Sequence, residues 1–383
     1  MSGSARDVAR RAKRIIVKVG SSSLTANGRV RPSALASLVR QVSQLMDDGR
    51  EVVIVSSGAI AVGAHRLGWS HPGRSIPEKQ AAAAVGQIGL VEFYGRRFAR
   101  RDRQVAQVLL TRSGLEDRER FLNARRTLQQ LLKLGVVPIV NENDTVATDE
   151  IRFGDNDNLS ATLVNVIGAD LLVILTDVDG LLERHPTPEE PKPPLIPLVE
   201  RITPGLMKIA SGSGNAFGSG GMLTKLEAAR TAGTSGVATI LCRGSLKDSL
   251  IRAANGEEIG TLLLPENGGR RMASRKHWLA YTARTRGEVV IDAGAAKALV
   301  ERGRSLLPAG VVEVRGRFQI GDAISCLDKK GRELARGLAA YPSDAIEALK
   351  GCGTREIERV LGYSNGSEVI HRDDLVVLDS SDA

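Results

Sequence analysis

The chain has 383 residues, 42% apolar and 25% charged, with a mean hydropathy of −0.09; a disordered or fibrous chain is excluded, and two or three domains are expected. Lys and Arg number 53 against 44 Asp and Glu, giving +9 and a pI near 9.7, so an anionic partner has to be considered. Only 6 Phe, 4 Tyr and 2 Trp are present, poor material for stacking single-stranded nucleic acid.

The N-terminal stretch Met1 to Arg14 is basic and lacks an apolar h-region, and no run of ~18 apolar residues occurs. Three cysteines, Cys242, Cys326 and Cys352, are too few and too far apart for a disulfide framework or a metal site. A reducing, cytoplasmic setting with no signal peptide and no membrane span is expected.

From Arg14 onward, short β-branched runs alternate with helical patterns, the signature of a mostly parallel open α/β sheet with helices on both faces. Strands are predicted at Arg14–Val19, Glu51–Val55, Gln104–Leu110, Val136–Val140 and Leu171–Leu175. Between the first two, Pro32 suits a first helical turn. Leu35, Leu38, Val39, Val42, Leu45 and Met46 then recur at helical spacing until Gly49. Further helices are predicted at Glu78–Arg101, Glu119–Leu134 and Leu159–Ile167.

Six prolines between 183 and 197 exclude a helix interior or central strand there, and an exposed loop or hairpin arm is expected. Gly205–Gly221 reads as a Gly/Ser-rich loop. A helix Met222–Ala232 and strands Val237–Cys242 and Gly260–Leu264 complete a large domain. From about Arg286, short strands punctuated by glycines indicate a small β-rich domain. Residues 286–383 hold 14 basic and 16 acidic side chains, a balance of −2, so the remaining residues carry +11. The local concentrations of basic charge are the N-terminal arm, Arg96–Arg103 and Arg270–Lys276, which a solvated face or an oligomer contact explains more readily than a polyanion surface.

Standard nucleotide signatures are absent: there is no G-x-x-x-x-G-K-[ST], and no dinucleotide-binding glycine pattern follows a strand. Six polar clusters instead sit at predicted strand ends, where open α/β sheets bind ligands. Lys18 lies in an apolar strand before Gly20-Ser21-Ser22 and needs an anionic partner, unless it is an edge lysine with its head in water. Ser56-Ser57-Gly58 enters a helix and could bind an anion or merely cap it. Asn141 to Thr145 puts five polar residues directly after a strand, more than local turn bonding needs.

Asp155-Asn156-Asp157-Asn158 precedes a helix that requires only one cap, leaving a surplus for Mg2+, a lysine or an amine-bearing substrate. Thr176-Asp177 follows a strand. Ser219-Gly220-Gly221-Met222-Leu223-Thr224-Lys225 either brings backbone and an ammonium to phosphates or is a glycine linker.

In this order and spacing, IVKVGSS, VVIVSSGAIAVG, EDRERFLNAR, PIVNENDTVAT, FGDNDNLSA, LTDVDGL and SGGMLTK resemble the glutamate 5-kinases of the amino-acid kinase family. The stretch Gly287–Tyr363, with ERGRSLLPAGV, GDAI, RGLAAYPSDAI and LGY, resembles a PUA domain. The resemblance implies a basic arm at 1–14, a kinase domain at 15–265, a linker at 266–285, a PUA domain at 286–364 and a tail at 365–383.

It further implies ATP-dependent phosphorylation of the γ-carboxylate of L-glutamate, the first step of proline biosynthesis, with proline as feedback inhibitor. Lys18 and Lys225 would bind the ATP phosphates, and Asp155 and Asp157 would order those lysines and Mg2+, which is carried by ATP without a dedicated protein cage. Ser57, Asp144 and Asn156 would bind glutamate. Thr176, Asp177 and the loop Ser219, Gly220, Gly221, Met222, Leu223, Thr224 and Lys225 would bind ATP. Ser219 and Leu223 depart from the family's pattern, which has Thr and a small residue there. A homo-oligomer, dimer or tetramer, and glutamate 5-phosphate reductase as pathway partner are also implied.

The chemistry agrees with the residues. A carboxylate nucleophile of reference pKa ~4.3 is ionised at neutral pH and needs no general base, so the demand is for positioning and cations. A kinase for another carboxylate, a carbamate or a nucleoside monophosphate is the alternative enzyme. RNA binding by the PUA-like domain is the alternative class, and its charge of −2 argues against it.

Overall fold

The computed structural model describes residues 4–26, 28–147, 155–184, 193–211, 221–265, 268–269 and 272–378, with Asp155 described in its backbone alone. Two compact units are formed, one from residues 1–115 and 119–271, the other from 116–118 and 272–383. Among the described residues no helix is long and apolar enough to cross a membrane.

The first unit is built on strands β1 (Arg14–Val19), β2 (Glu51–Ser56), β3 (Val105–Leu110), β4 (Val137–Glu142), β5 (Leu171–Thr176), β6 (Leu198–Val199), β7 (Ala238–Arg243) and β8 (Thr261–Leu263). They form one sheet in the order β3-β4-β2-β1-β5-β7-β8-β6, parallel except between β7 and β8. The central strands β1, β2, β4 and β5 are buried almost throughout, which explains their unbroken apolar runs. Strand β6 escapes the sequence reading because it is two residues long and follows Pro197.

Helix α1 (Pro32–Asp47) buries Leu35, Leu38, Val39, Val42 and Leu45, and Gly49 turns the chain at φ 79°. Helices α2 (Ala59–Arg66) and α3 (Ile76–Ala99) cross closely. A Cβ on Gly63 would lie 1.7 Å from Ala82 O, and one on Gly86 would lie 1.8 Å from Ala59 O, so only glycine fits at either position. Helix α3 starts two residues ahead of its predicted Glu78 because Ser75 and Glu78 make a capping box: Ser75 Oγ accepts from Glu78 N at 3.3 Å, and Glu78 Oε2 accepts from Ser75 N at 3.4 Å.

Helices α4 (Arg118–Lys133), α5 (Asp155–Ile167), α6 (Pro204–Ser211), α7 (Met222–Thr234) and α8 (Ser249–Ala254) complete the layers. Two departures from the sequence reading concern polar stretches. Helix α5 begins at Asp155, so the Asp/Asn cluster is its first turn rather than a preceding loop. Residues 205–211, expected as loop, belong to α6, where Leu206, Met207 and Ile209 outweigh the glycine. At the proline-rich arm, Leu182 pairs antiparallel with Leu195, and Glu183 N donates to Pro194 O at 3.1 Å, the base of a hairpin; residues 185–192 lie outside the described residues.

The N-terminal arm is docked rather than solvated at Arg6, which is 5% exposed. Its guanidinium donates to the carbonyls of Glu257, Ile259, Pro197 and Gly260 at 2.9–3.1 Å. That part of the basic surplus is structural.

The second unit contains α9 (Ser274–Tyr281), β9 (Gly287–Ile291), α10 (Ala293–Arg302), β10 (Val311–Gly316), β11 (Ala323–Leu327), β12 (Glu333–Leu338), α11 (Ser343–Leu349), α12 (Ile357–Leu361) and β13 (Leu375–Val377). Its five strands run in the order β10-β9-β11-β12-β13 over a core that includes Val289, Leu299, Phe318, Ile324, Tyr341 and Ile346. The segment expected as a linker contributes α9, which buries His277, Trp278 and Leu279. The segment expected as a tail contributes Val369 and Ile370 to the core, and β13 pairs with β12. The short apolar pairs Val369-Ile370 and Leu375-Val376 were too brief to read as core against their Asp- and Ser-rich surroundings.

Candidate active site

The site forms where the parallel strands end. Lys18 lies in β1 beside Val55 of β2 and Ile174 of β5, at the centre of the sheet, so the residue is 3% exposed and is no edge lysine. Helix α5 then delivers Asp157, which is fully buried. Asp157 Oδ1 lies 2.6 Å from Lys18 Nζ, while Oδ2 lies 3.5 Å from Lys225 Nζ and accepts from Thr224 Oγ1 at 2.9 Å. Lys225, 5% exposed, stands on the first turn of α7, whose N-cap is Gly221; Thr224 Oγ1 also reaches Gly221 O at 2.8 Å.

Three elements distant in sequence thus place two ammonium groups on one carboxylate. Burial pushes the Asp157 carboxyl up, but Lys18, Lys225 and the Thr224 hydroxyl outweigh it and hold the pKa below the usual range. For Lys225, burial and the Lys18 charge outweigh Asp157, and its pKa falls below the ordinary lysine value.

Next to Asp157, Asn156 Nδ2 donates to Ser57 Oγ at 3.0 Å and to Asn141 Oδ1 at 2.9 Å. Asn141, the penultimate residue of β4, also accepts from Glu142 N at 3.0 Å. Behind Ser57, the buried Ser56 Oγ pairs with Tyr94 OH of α3 at 3.0 Å. Asp144, half-buried, opens the 3-10 turn Asp144–Val146 that follows β4.

Thr176 Oγ1 donates to Asp177 Oδ1 at 3.1 Å at the end of β5, and the neighbouring β7 contributes Arg243, whose Nε donates to Asp179 Oδ1 at 2.5 Å. Thr176 is buried and Asp177 exposed. Met222 and Leu223 are half-buried on α7, so the bulky Leu223 is accommodated. Ser219 and Gly220 lie outside the described residues, as does the Asp155 side chain.

Lys18, Asp157, Thr224 and Lys225 therefore form one group, and Ser57, Asn141 and Asn156 an adjoining one, joined through the consecutive Asn156 and Asp157. Tyr94 is an addition to the sequence-derived clusters, while Ser56 and Asn141 stood in those clusters without an assigned role. Asn141 was within reach as the first polar residue after an apolar strand; Tyr94 was not, because only the folded helix brings it to Ser56. As for a metal, both Asp157 oxygens are engaged, and among the described residues no three His, Cys, Asp or Glu side chains could hold an ion. The described donors do not fit a protein-held Mg2+.

The amino acid kinase family matches residues 13–244, and the PUA domain matches residues 287–361. A glutamate 5-kinase of Geobacter sp. (strain M21) is 48% identical over 97% of this chain and 100% of its own. One of Paraburkholderia phymatum is 50% identical over 97% and 100%, and one of Thermoanaerobacter sp. (strain X514) is 47% identical over 96% and 98%. The chain belongs to the amino acid kinase family, among the glutamate 5-kinases with a C-terminal PUA domain.

Proposed function

We propose that this chain transfers the γ-phosphoryl group of ATP to the γ-carboxylate of L-glutamate, giving L-glutamate 5-phosphate for proline biosynthesis. The observation that carries the reading is the pair of buried ammonium groups, Lys18 and Lys225, held on Asp157 beside the amide and hydroxyl cluster of Asn156, Asn141 and Ser57. Two anions must approach each other there, and the barrier is their repulsion.

In the proposed mechanism the substrate carboxylate attacks the γ-phosphorus while ADP departs in line. Lys18 and Lys225 offset the charge shared by the attacking carboxylate, the transferring group and the leaving oxygen. Asp157 acts as the orienter that fixes both lysines, Ser57, Asn156 and Asp144 bind the amino acid, and Thr176, Asp177 and residues 219–225 hold the nucleotide. Mg2+, not held by the described residues, would come with the nucleotide and would supply further positive charge.

Proline as feedback inhibitor, a homo-oligomer, a cytoplasmic setting and handover of the product to glutamate 5-phosphate reductase belong to the same proposal. No RNA-binding role is proposed for residues 286–383, whose net charge is −2. The test is acyl phosphate formation, trapped as the hydroxamate, with ATP and a panel of acceptors, with and without proline. Dependence on glutamate and suppression by proline are expected. Turnover of a carbamate or a nucleoside monophosphate in place of glutamate would refute the proposed substrate.

A further inference from the structure

Helix α3 carries Gln80, Gln87 and Tyr94 at seven-residue spacing, two turns less about 20°, so the three share one face. The outer two are anchored at the amino-acid end of the site. Gln80 Nε2 donates to Ala147 O at 3.2 Å, just beyond the Asp144–Val146 turn, and Tyr94 OH pairs with Ser56 Oγ, next to Ser57. Gln87 lies midway, about 10 Å along the axis from each. Its neighbour Gly86 abuts Ala59, two residues beyond Ser57, in the close α2–α3 crossing. The helix face that carries Gln87 thus runs between its anchors at Ser56 and at Ala147.

Gln87 is only 7% exposed, and its Nε2 is buried without a hydrogen-bond partner among the described residues. A buried unpaired amide is unfavourable in the fold and calls for a ligand. Asn156 Oδ1 is likewise buried and unpaired. Its orientation is fixed, because Glu142 N donates to Asn141 Oδ1, so Asn156 must present its nitrogen to that same oxygen. An unpaired donor and an unpaired acceptor thus flank the Ser57 turn. An α-amino acid supplies the complement, with a carboxylate for the donor and an ammonium for the acceptor.

We propose that Gln87 is a specificity-determining residue that donates from Nε2 to the α-carboxylate of the amino-acid substrate, leaving the γ-carboxylate toward Lys18 and Lys225. This rests on the glutamate reading above. The full chain is assayed with Gln87→Met and Gln87→Glu, measuring KM for glutamate and for ATP, kcat and Tm.

Gln87→Met is expected to raise KM for glutamate ~10-fold or more, as befits loss of a hydrogen bond to a charged group. KM for ATP should stay within about twofold, and Tm should not fall, since an unpaired buried amide is removed. Gln87→Glu should raise the glutamate KM more at pH 8 than at pH 6, because its acid form can donate and its anion repels. An active parent whose Gln87→Met variant keeps a normal glutamate KM overturns the inference alone, as does a parallel rise in both KM values or a lowered Tm with normal KM. A parent that does not phosphorylate glutamate overturns the inference and the underlying function together.

Discussion

The two units spend charge in opposite ways. In the first, Lys18, Asp157 and Lys225 are 0–5% exposed and pair across three separate elements. In the second, Arg315 with Glu313 and Glu288, Arg332 with Asp328, and Arg359 with Glu356 pair at the surface, mostly between near neighbours in sequence. Its open cavity of about 640 Å3 mixes Asp292 and Glu368 with Arg304, His371 and Arg372. Water and salt screen the second kind of charge, while the first kind has been desolvated at a cost that the fold alone gives no reason to bear. Buried, long-range pairing is therefore the physical mark that separates the catalytic unit from its appendage.

The strongest way to break this contrast is Asp157→Asn. It leaves two buried ammonium groups on a neutral amide and should destabilise the first unit by about 3–5 kcal/mol. Turnover should fall by ~10²-fold or more, because neither lysine is then held in place. Urea unfolding and single-turnover kinetics check the two effects. A variant of normal stability and rate would mean that Asp157 does not organise the lysines.

Lys18→Ala and Lys225→Ala should each lower kcat by ~10²-fold. Their effect on stability should be smaller than that of Asp157→Asn, since the carboxylate keeps one ammonium partner. Near-normal turnover in either folded variant removes that lysine from the catalytic set.

Much of this was legible in the sequence for a physical reason. The central strands are buried on both faces, so they read as apolar runs, against which Lys18 within β1 and the polar Asn141 in β4 stand out, while Asp157 belongs to a polar run at the start of α5. What stayed hidden depended on tertiary partners. Pairing of Asp157 with both lysines, the Gly63–Gly86 crossing, and the contact of Tyr94 with Ser56 join residues far apart in the chain. Arg6 read as surface charge, yet four carbonyls bury it. The second unit's limits were blurred because β13 is three residues long and α9 follows a Gly- and Arg-rich stretch.

The second unit has one buried ionisable group that sharpens the comparison. Burial in α9 pushes the His277 imidazole down to about 4 from the ordinary 6.5. Between those pH values the unfolded chain binds a proton that the folded unit refuses, so stability falls as pH drops from 6.5 toward 4, by roughly 3 kcal/mol in all. Above pH 6.5 the group has no effect. Unfolding followed through the adjacent Trp278, in a Trp69→Phe background, should show this slope, and His277→Phe should flatten it. An unchanged slope in that variant would assign the acid sensitivity elsewhere.

The smallest expected effect lies at the surface. Arg315 Nε meets Glu313 at 2.9 Å and its Nη1 lies 3.7 Å from Glu288, yet the Arg315 side chain is 48% exposed and its partners are about as open. Arg315→Ala should shift Tm by no more than about 2 °C and leave kcat unchanged, because solvent replaces what the pair loses. The same formal loss of one cation from an ion-pair network is thus expected to silence catalysis at Lys225 and to pass almost unnoticed at Arg315. If Arg315→Ala instead destabilised the chain as strongly as Asp157→Asn, burial would no longer separate the two kinds of charge, and desolvation would no longer mark the first unit as the one that carries the chemistry.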